Sequence, residues 1–135
     1  MGSKSICKVR NFLPQDYHSR DKYEYYFVEI MFRLVELQSS DEYWHSSLLD
    51  TVSYPSKESS TTGFYTYGLW WGINRGLLDK ERYLDPAIKA WNTMVRAVHP
   101  SGMLGYVQST GDKAKKVSKG KNEIYATAAF MFGGA

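Results

Sequence analysis

Residues 61–78 form a predicted helix that is apolar on every side, and no other feature constrains the fold as strongly. Arg75 is its only charge before Asp79. A helix without a polar face is typical of one that other elements surround. We expect this helix to be buried, with Ser59 or Ser60 as its N-cap. Its apolar residues are Phe64, Tyr65, Tyr67, Leu69, Trp70, Trp71, Ile73 and Leu77.

Two other helices are predicted to have one apolar and one polar side. Residues 21–38 follow Ser19, a residue type favoured at N-caps, and repeat apolar residues at the i, i+3, i+4, i+7 spacing. The third helix is predicted to begin at Asp85, with Pro86 at the first helical position, and to end near His99. Both helices should lie at a surface.

The fourth predicted helix, residues 124–132, is uncharged after Glu123 and should be buried. A β-strand is the alternative for so short a run, although its alanines favour a helix. The order of surface, buried, surface and buried helices indicates hairpins in two concentric layers, whereas a four-helix bundle would repeat a one-sided stripe four times. Two amphipathic helices cannot easily cover two fully apolar ones. We therefore expect this chain to be part of a larger ring, or to associate with itself.

A row of glycines lies on one face of the second predicted helix. Gly68, Gly72 and Gly76 recur at every fourth residue. Because a glycine in a helix costs about 1 kcal/mol relative to alanine, the row predicts that another backbone or a ligand approaches closely there.

The composition excludes several classes of protein. The 135 residues allow one ordinary domain, and a net charge of +3 is too small to indicate nucleic-acid binding by itself. The single cysteine excludes an internal disulfide framework. No apolar run approaches the roughly 20 residues that cross a bilayer. We therefore expect neither a nucleic-acid nor a membrane partner. The high aromatic content, 16%, is typical of cores and also of carbohydrate and nucleobase sites.

Two long loops are predicted to form a binding site. In a ring of helical hairpins the inner helices point the same way, so the loops that lead into them gather at one end, which we call the mouth. Here these loops are residues 39–60 and 99–121. Long loops in a compact fold are often functional, and both of these carry polar and aromatic side chains.

Several short segments along the chain form a recognisable series. They are residues 13–17 (LPQDY) with Arg20, 41–44 (DEYW), 47–50 (SLLD), 53–55 (SYP), 58–60 (ESS), 64–68 (FYTYG), 71–79 (WGINRGLLD), 98–100 (VHP), 102–108 (GMLGYVQ) and 123–125 (EIY). In this order they resemble the C-terminal part of the unsaturated glucuronyl and rhamnogalacturonyl hydrolases, glycoside hydrolase families 88 and 105. Residues 71–79 are the closest match.

The resemblance implies an all-α fold, an (α/α)6 toroid of the six-hairpin glycosidase type, of which this chain supplies about two helical hairpins. It assigns residues 13–135 to the C-terminal portion of that toroid and leaves residues 1–12 unassigned. The implied substrate is an oligosaccharide that ends in a Δ4,5-unsaturated uronic acid. In the implied reaction an aspartate protonates the vinyl-ether double bond, water adds at C5, and the hemiketal opens. No metal or organic cofactor is implied.

The sequence also departs from the family pattern. The family's catalytic aspartate lies in an Asp-Gly motif, and its Arg-Gly-Asn-Gly-Trp motif binds substrate; this sequence contains neither. Thr61 replaces the glycine of the family's Glu-Thr-Ser-Gly stretch. We therefore expect no catalytic residue in this chain, and no hydrolytic activity from it alone. The alternative function is a non-enzymatic helical module that binds a polyanion or a protein partner.

Four candidate substrate-binding residues lie on the first loop. Trp44 and His45 are candidates for stacking on a sugar and for hydrogen bonding to it; the alternative is a tryptophan that plugs the toroid beside a solvated histidine. Glu58 and Ser60 are candidates to orient substrate. A serine with a nearby glutamate is, however, also an ordinary helix start.

The second loop supplies two more candidates and a basic run. Tyr106 and Gln108 are candidates for sugar contacts. The basic run would attract a uronate or a nucleic-acid backbone, and the alternative is a solvated, flexible loop. Its residues are Lys113, Lys115, Lys116, Lys119 and Lys121.

Overall fold

Four α-helices organise the computed structural model, which describes residues 11–109 and 116–134. They are α1 (Arg20–Glu36), α2 (Ser59–Asn74), α3 (Lys80–Ala97) and α4 (Ile124–Gly133). In this part of the chain, isolated β-bridges join His45 to Lys57 and Val98 to Leu104. Within the described ranges, no helix combines the length and apolar character needed to cross a bilayer.

The α2 helix lies at the centre of the fold, as its sequence predicts. It packs against α1, α3 and α4, and no residue from 58 to 73 is exposed. Phe27 and Met31 of α1 meet Leu69 and Trp71 of α2 in the main core, where the Phe27 and Trp71 ring centroids lie 5.0 Å apart, edge to face. The prediction of an all-round buried helix is confirmed.

The start of α2 differs from the prediction. Its N-cap is Glu58, because the extended backbone of Glu58 lets its carboxylate accept hydrogen bonds from the Ser60 and Thr61 amides. Neither Ser59 nor Ser60 caps the helix. The end of α2 also comes early, at Asn74, and Gly76 follows it with φ +67°, so that its amide donates to the Ile73 carbonyl.

In the predicted glycine row Gly72 faces side chains, and a close contact with another backbone lies at a different glycine. Gly76 belongs to a turn, and a Cβ on Gly72 would meet the side chains of Leu78 and Phe27. At Gly63, in contrast, an added Cβ would lie 2.8 Å from the Ala129 carbonyl oxygen of α4. Gly63 lets α2 and α4 approach each other closely.

The α3 helix begins earlier than predicted. Asp79 is the N-cap and accepts a hydrogen bond from the Arg82 amide, so Pro86 lies inside the helix and not at its first position. Tyr83 is buried one turn before Ala87, and this packing extends the helix toward its N-terminus. The predicted end near His99 agrees with the observed end at Ala97.

The α4 helix forms where it is predicted, but it is not buried on all sides. Ala126, Ala129 and Gly133 are its buried residues. Ile124 is 92% exposed and Met131 is 68% exposed. The prediction that α4 is buried is therefore wrong for the side that carries Ile124 and Met131, because no described element covers that side. The alternative of a β-strand is excluded.

Candidate functional site

The two predicted loops meet at the N-terminal end of α2, in a contact between residues 56–60 and residues 104–109 that we call the loop junction. The Ser59 amide donates to the Tyr106 carbonyl at 2.9 Å, and the Ser59 hydroxyl donates to the Gly105 carbonyl at 2.7 Å. The next residue of the second loop, Val107, donates from its amide to the Lys121 carbonyl at 3.1 Å. The backbone of the second loop is therefore fixed on both edges.

Glu58 connects the helix start to the second loop. Its carboxylate, 4% exposed, accepts hydrogen bonds from the Thr61 amide at 2.6 Å and from the Gln108 amide at 3.3 Å. It also accepts from the amide and the hydroxyl of Ser60. Glu58 and Ser60 thus bond to each other and to backbone groups, and together they set the position of Gln108.

Trp44 and His45 are both buried beneath the loop junction. Trp44 is fully buried, its indole N–H donates to the Leu34 carbonyl at 2.7 Å, and its ring packs edge to face on Tyr65. Neither face of that ring is open to a sugar in this arrangement. His45 is 8% exposed, so it is not the solvated histidine of the alternative interpretation. Its Nε2 lies 2.9 Å from Asp41 Oδ1.

Tyr106 and Gln108 line two different pockets. Tyr106 has φ +57°, an uncommon conformation for a bulky residue. It lines the outer pocket, a cavity of about 230 Å³ between the loop junction and the end of α3, together with Asp41, Tyr43, Lys57, Thr93, Arg96 and Ala97. Gln108 lines the second pocket, a cavity of about 200 Å³, together with Val107, Ser109, Lys116, Val117 and Lys121.

Part of the basic run borders the second pocket. Lys116 and Lys121 line that pocket, and Lys119 is exposed nearby in sequence. Lys113 and Lys115 lie outside the described residues. Among residues 11–109 and 116–134, no three histidine, cysteine, aspartate or glutamate side chains come together in a group that could hold a metal ion.

The sequence match to a known family extends over almost the whole chain. The model of Glycosyl Hydrolase Family 88 matches residues 3–135. The chain belongs to glycosyl hydrolase family 88. The match includes most of the N-terminal segment, residues 1–12.

Two curated relatives of this family 88 chain are each named unsaturated 3S-rhamnoglycuronyl hydrolase. The one from Formosa agariphila is 39% identical over 124 residues, which cover 91% of this chain and 33% of the relative. The one from Alteromonas sp. is 34% identical over 119 residues, which cover 88% of this chain and 29% of the relative. The chain thus spans about a third of the length of these relatives.

A solved structure gives the architecture of the family 88 chain. Glycosyl hydrolase family 88 from Bacteroides vulgatus superposes with a TM-score of 0.92 at 31% identity, over 97% of this chain and 39% of that chain. The fold is a partial (α/α)6 toroid, as predicted. The described helices follow one another as α1, α2, α3 and α4, and α2 packs against the other three.

Sequence reasoning missed Tyr43 and Arg96, two residues that line the outer pocket of this family 88 chain. Tyr43 is 2% exposed, and burial raises its pKa to about 12. Its hydroxyl donates to the Thr93 carbonyl at 3.3 Å. Lys57 and Arg96 come from different elements, and only the fold brings them together. The adjacent Trp44 indicates a candidate site on this loop, but no spacing in the sequence relates Tyr43 to Arg96.

Proposed function

We propose that this chain forms part of the substrate mouth of a glycoside hydrolase that acts on oligosaccharides ending in a Δ4,5-unsaturated uronic acid. Family 88 membership supports the glycoside hydrolase class, and the names of the two curated relatives support an unsaturated uronyl substrate. For this chain, the proposal depends on one observation. The loop junction fixes a polar pocket at the N-terminal end of an inner helix.

In this proposal the second pocket holds the terminal uronate. Lys116 and Lys121 supply positive charge for its carboxylate, since both ammonium groups are exposed at the pocket. Glu58 holds the Gln108 amide and so keeps that wall of the pocket in place. Trp44 and His45 act beneath the loop junction as packing residues, because both are buried.

The proposed reaction needs an acid that this chain does not supply. A carboxylic acid adds a proton at C4 of the vinyl ether, water forms its bond to C5, and the hemiketal then opens to release the sugar. The family places that acid in an Asp-Gly motif, which is absent from these 135 residues. The chain accordingly contributes binding and positioning, and residues 13–135 serve as one portion of the toroid.

The test measures binding and turnover separately on the 135-residue chain. An unsaturated uronyl disaccharide should shift the amide NMR signals of Gln108 and Lys121, while the absorbance of its conjugated double bond stays constant. Lys121→Met should weaken binding about threefold to tenfold, because an exposed charge contact contributes about 1 kcal/mol. Lys89→Met, which removes an exposed lysine paired with Asp85, is the matched control and should bind like the parent chain.

Two results would contradict the proposal. Turnover at an enzyme-like rate would show that the chain carries its own acid. Retention on heparin with strong salt dependence, and no response to the disaccharide, would instead favour the non-enzymatic polyanion-binding module.

A further inference from the structure

The outer pocket has no role in the function proposed above, although its chemistry is that of a ligand site. It shares no lining residue with the second pocket, and Thr93, Arg96 and Ala97 of its lining belong to the last five residues of α3. Pockets for drug-sized ligands have volumes of about 300–1,000 Å³. At about 230 Å³, the outer pocket suits a smaller group, about the size of one sugar unit.

Lys57 is the cation of the outer pocket that lacks a carboxylate partner. Its Nζ lies 4.9 Å from the ring centroid of Tyr43 and 5.5 Å from that of Tyr106. No carboxylate oxygen of the described residues lies within salt-bridge distance of it. Arg96, which also lines the pocket, is already paired with Glu42 at 2.7 Å. A half-buried ammonium group between two rings gains most from an added anion.

Asp41 also lines the outer pocket, and its carboxylate favours hydrogen-bond donors on a ligand. Its carboxylate is 34% exposed and holds His45. It would repel a second anion at close range, but it can accept hydrogen bonds from hydroxyl groups. A ligand that satisfies both residues must therefore carry one acidic group for Lys57 and hydroxyl groups for Asp41.

Tyr106 is held over Lys57 in an uncommon backbone conformation. Its carbonyl accepts from Ser59 and its amide donates to the Ser118 carbonyl at 3.3 Å, so both neighbouring segments keep φ at +57°. Such over-determined conformations cluster at ligand sites, where they fix the direction of a side chain. Here that side chain forms one wall of the cavity.

We propose that the outer pocket binds a second, acidic sugar unit of the oligosaccharide, with Lys57 on its acidic group and Asp41 on its hydroxyl groups. The proposal rests on the carbohydrate substrate proposed above, but it concerns a different pocket. A uronate and a sulfated hexose share the required chemistry, because each has one anionic group on a hydroxylated ring. A neutral hexose would leave Lys57 unpaired, and inorganic sulfate would offer Asp41 no hydroxyl.

The test titrates the 135-residue chain with four probes and follows the amide NMR signals. Glucuronic acid and glucose 6-sulfate distinguish the two sources of negative charge, while glucose and inorganic sulfate each lack one of the required groups. We expect signals of Tyr43, Lys57 and Tyr106 to shift with at least one acidic sugar, which should bind at least about tenfold more tightly than glucose or sulfate. Lys57→Met should reduce that affinity to the level of glucose, whereas Lys57→Arg should retain most of it.

Controls separate this proposal from the proposed function. Lys89→Met should not change the affinity, and thermal unfolding of Lys57→Met should match that of the parent chain, so that misfolding cannot explain a loss. If the acidic sugars shift only Gln108 and Lys121, the outer pocket is not a sugar site while the proposed mouth stands. If glucose binds as well as glucuronic acid, or if Lys57→Met binds normally, the proposal is overturned. Absence of binding by all four probes would overturn it as well.

Discussion

The α2 and α4 helices are both apolar and uncharged, but they differ in how far other elements cover them. Both lack a charged face, and both follow a glutamate that occupies the N-cap position. The α2 helix has no exposed residue from 59 to 73, whereas Ile124 at the start of α4 is 92% exposed. Apolar residues on every side of a helix therefore predict that other elements bury it, but they do not identify those elements.

The difference follows from what the described residues supply to each helix. Three helices surround α2, with α1 and α3 on its sides and α4 against Gly63. The α4 helix contacts α2 where Ala129 meets Gly63 and where the Phe132 ring packs on Tyr67, whereas the side chains of Ile124 and Met131 are exposed. In a toroid the cover of an inner helix comes from hairpins that are distant in sequence, and this chain spans about a third of its curated relatives.

Matched truncations in the two helices give the largest expected difference. Leu69→Ala on α2 removes a side chain that is 1% exposed, so the free energy of unfolding should fall by about 2–5 kcal/mol. Met131→Ala on α4 removes one that is 68% exposed and should cost less than about 0.5 kcal/mol. Urea denaturation measures both. Equal losses would mean that the exposed face of α4 is covered in solution, for example by a second copy of the chain.

The contact between the two helices is tested by adding one methyl group. In Gly63→Ala the new Cβ would lie 2.8 Å from the Ala129 carbonyl oxygen, and a backbone atom cannot move aside cheaply. We expect a net loss of about 1–2 kcal/mol, even though alanine favours a helix by about 1 kcal/mol. Gly120→Ala is the control, since its Cβ would meet nothing closer than 4.0 Å. A Gly63→Ala variant as stable as the parent would show that α4 can shift on α2.

The glutamates at the two N-caps allow a smaller comparison. Glu58→Gln replaces one carboxylate oxygen by an NH₂ group, which leaves an amide of the first turn or the Ser60 hydroxyl without its acceptor. The free energy of unfolding should therefore fall by about 1 kcal/mol. Glu123 makes no side-chain cap on α4, so Glu123→Gln should cost about half as much. Thermal unfolding at neutral pH measures both. A larger loss for Glu123→Gln would contradict the assigned caps.

The sequence was sufficient to predict the layers of the fold, but it could not locate two of the helix starts. Periodicity identifies α1 and α3 by their one-sided apolar stripes, and uncharged, apolar composition identifies α2 and α4. The starts of α2 and α3 were wrong because capping depends on which side chain reaches the first free amides. Glu58 reaches two of them from an extended backbone, and Asp79 reaches the Arg82 amide. The two serines and the Asp-Pro pair match the statistics of N-caps, but the N-caps here are Glu58 and Asp79.

The candidate site was less predictable than the fold. The sequence places Tyr106 and Gln108 on one loop, but it does not show that Tyr106 adopts φ +57° and that the two residues line different pockets. It equally gives no sign that Trp44 donates to Leu34 from a fully buried position. Such relations depend on long-range hydrogen bonds, which no local pattern encodes.

The last prediction tests the burial of α2 through a titration. Burial, and then the charge of Glu58, raise the pKa of Tyr65 above its usual value. A group whose pKa is higher in the folded state contributes stability that is fully present below the unfolded pKa, about 10, and is lost as the pH rises through the folded pKa.

Tyr65→Phe should therefore leave the urea midpoint unchanged near pH 8. It should reduce the decline of that midpoint near pH 11, roughly one unit above the unfolded pKa. Tyr25→Phe, at a side chain that is 60% exposed, is the control and should decline like the parent. If Tyr65→Phe declines like the parent too, water reaches Tyr65 in the folded state, and α2 is no better sheltered there than α4.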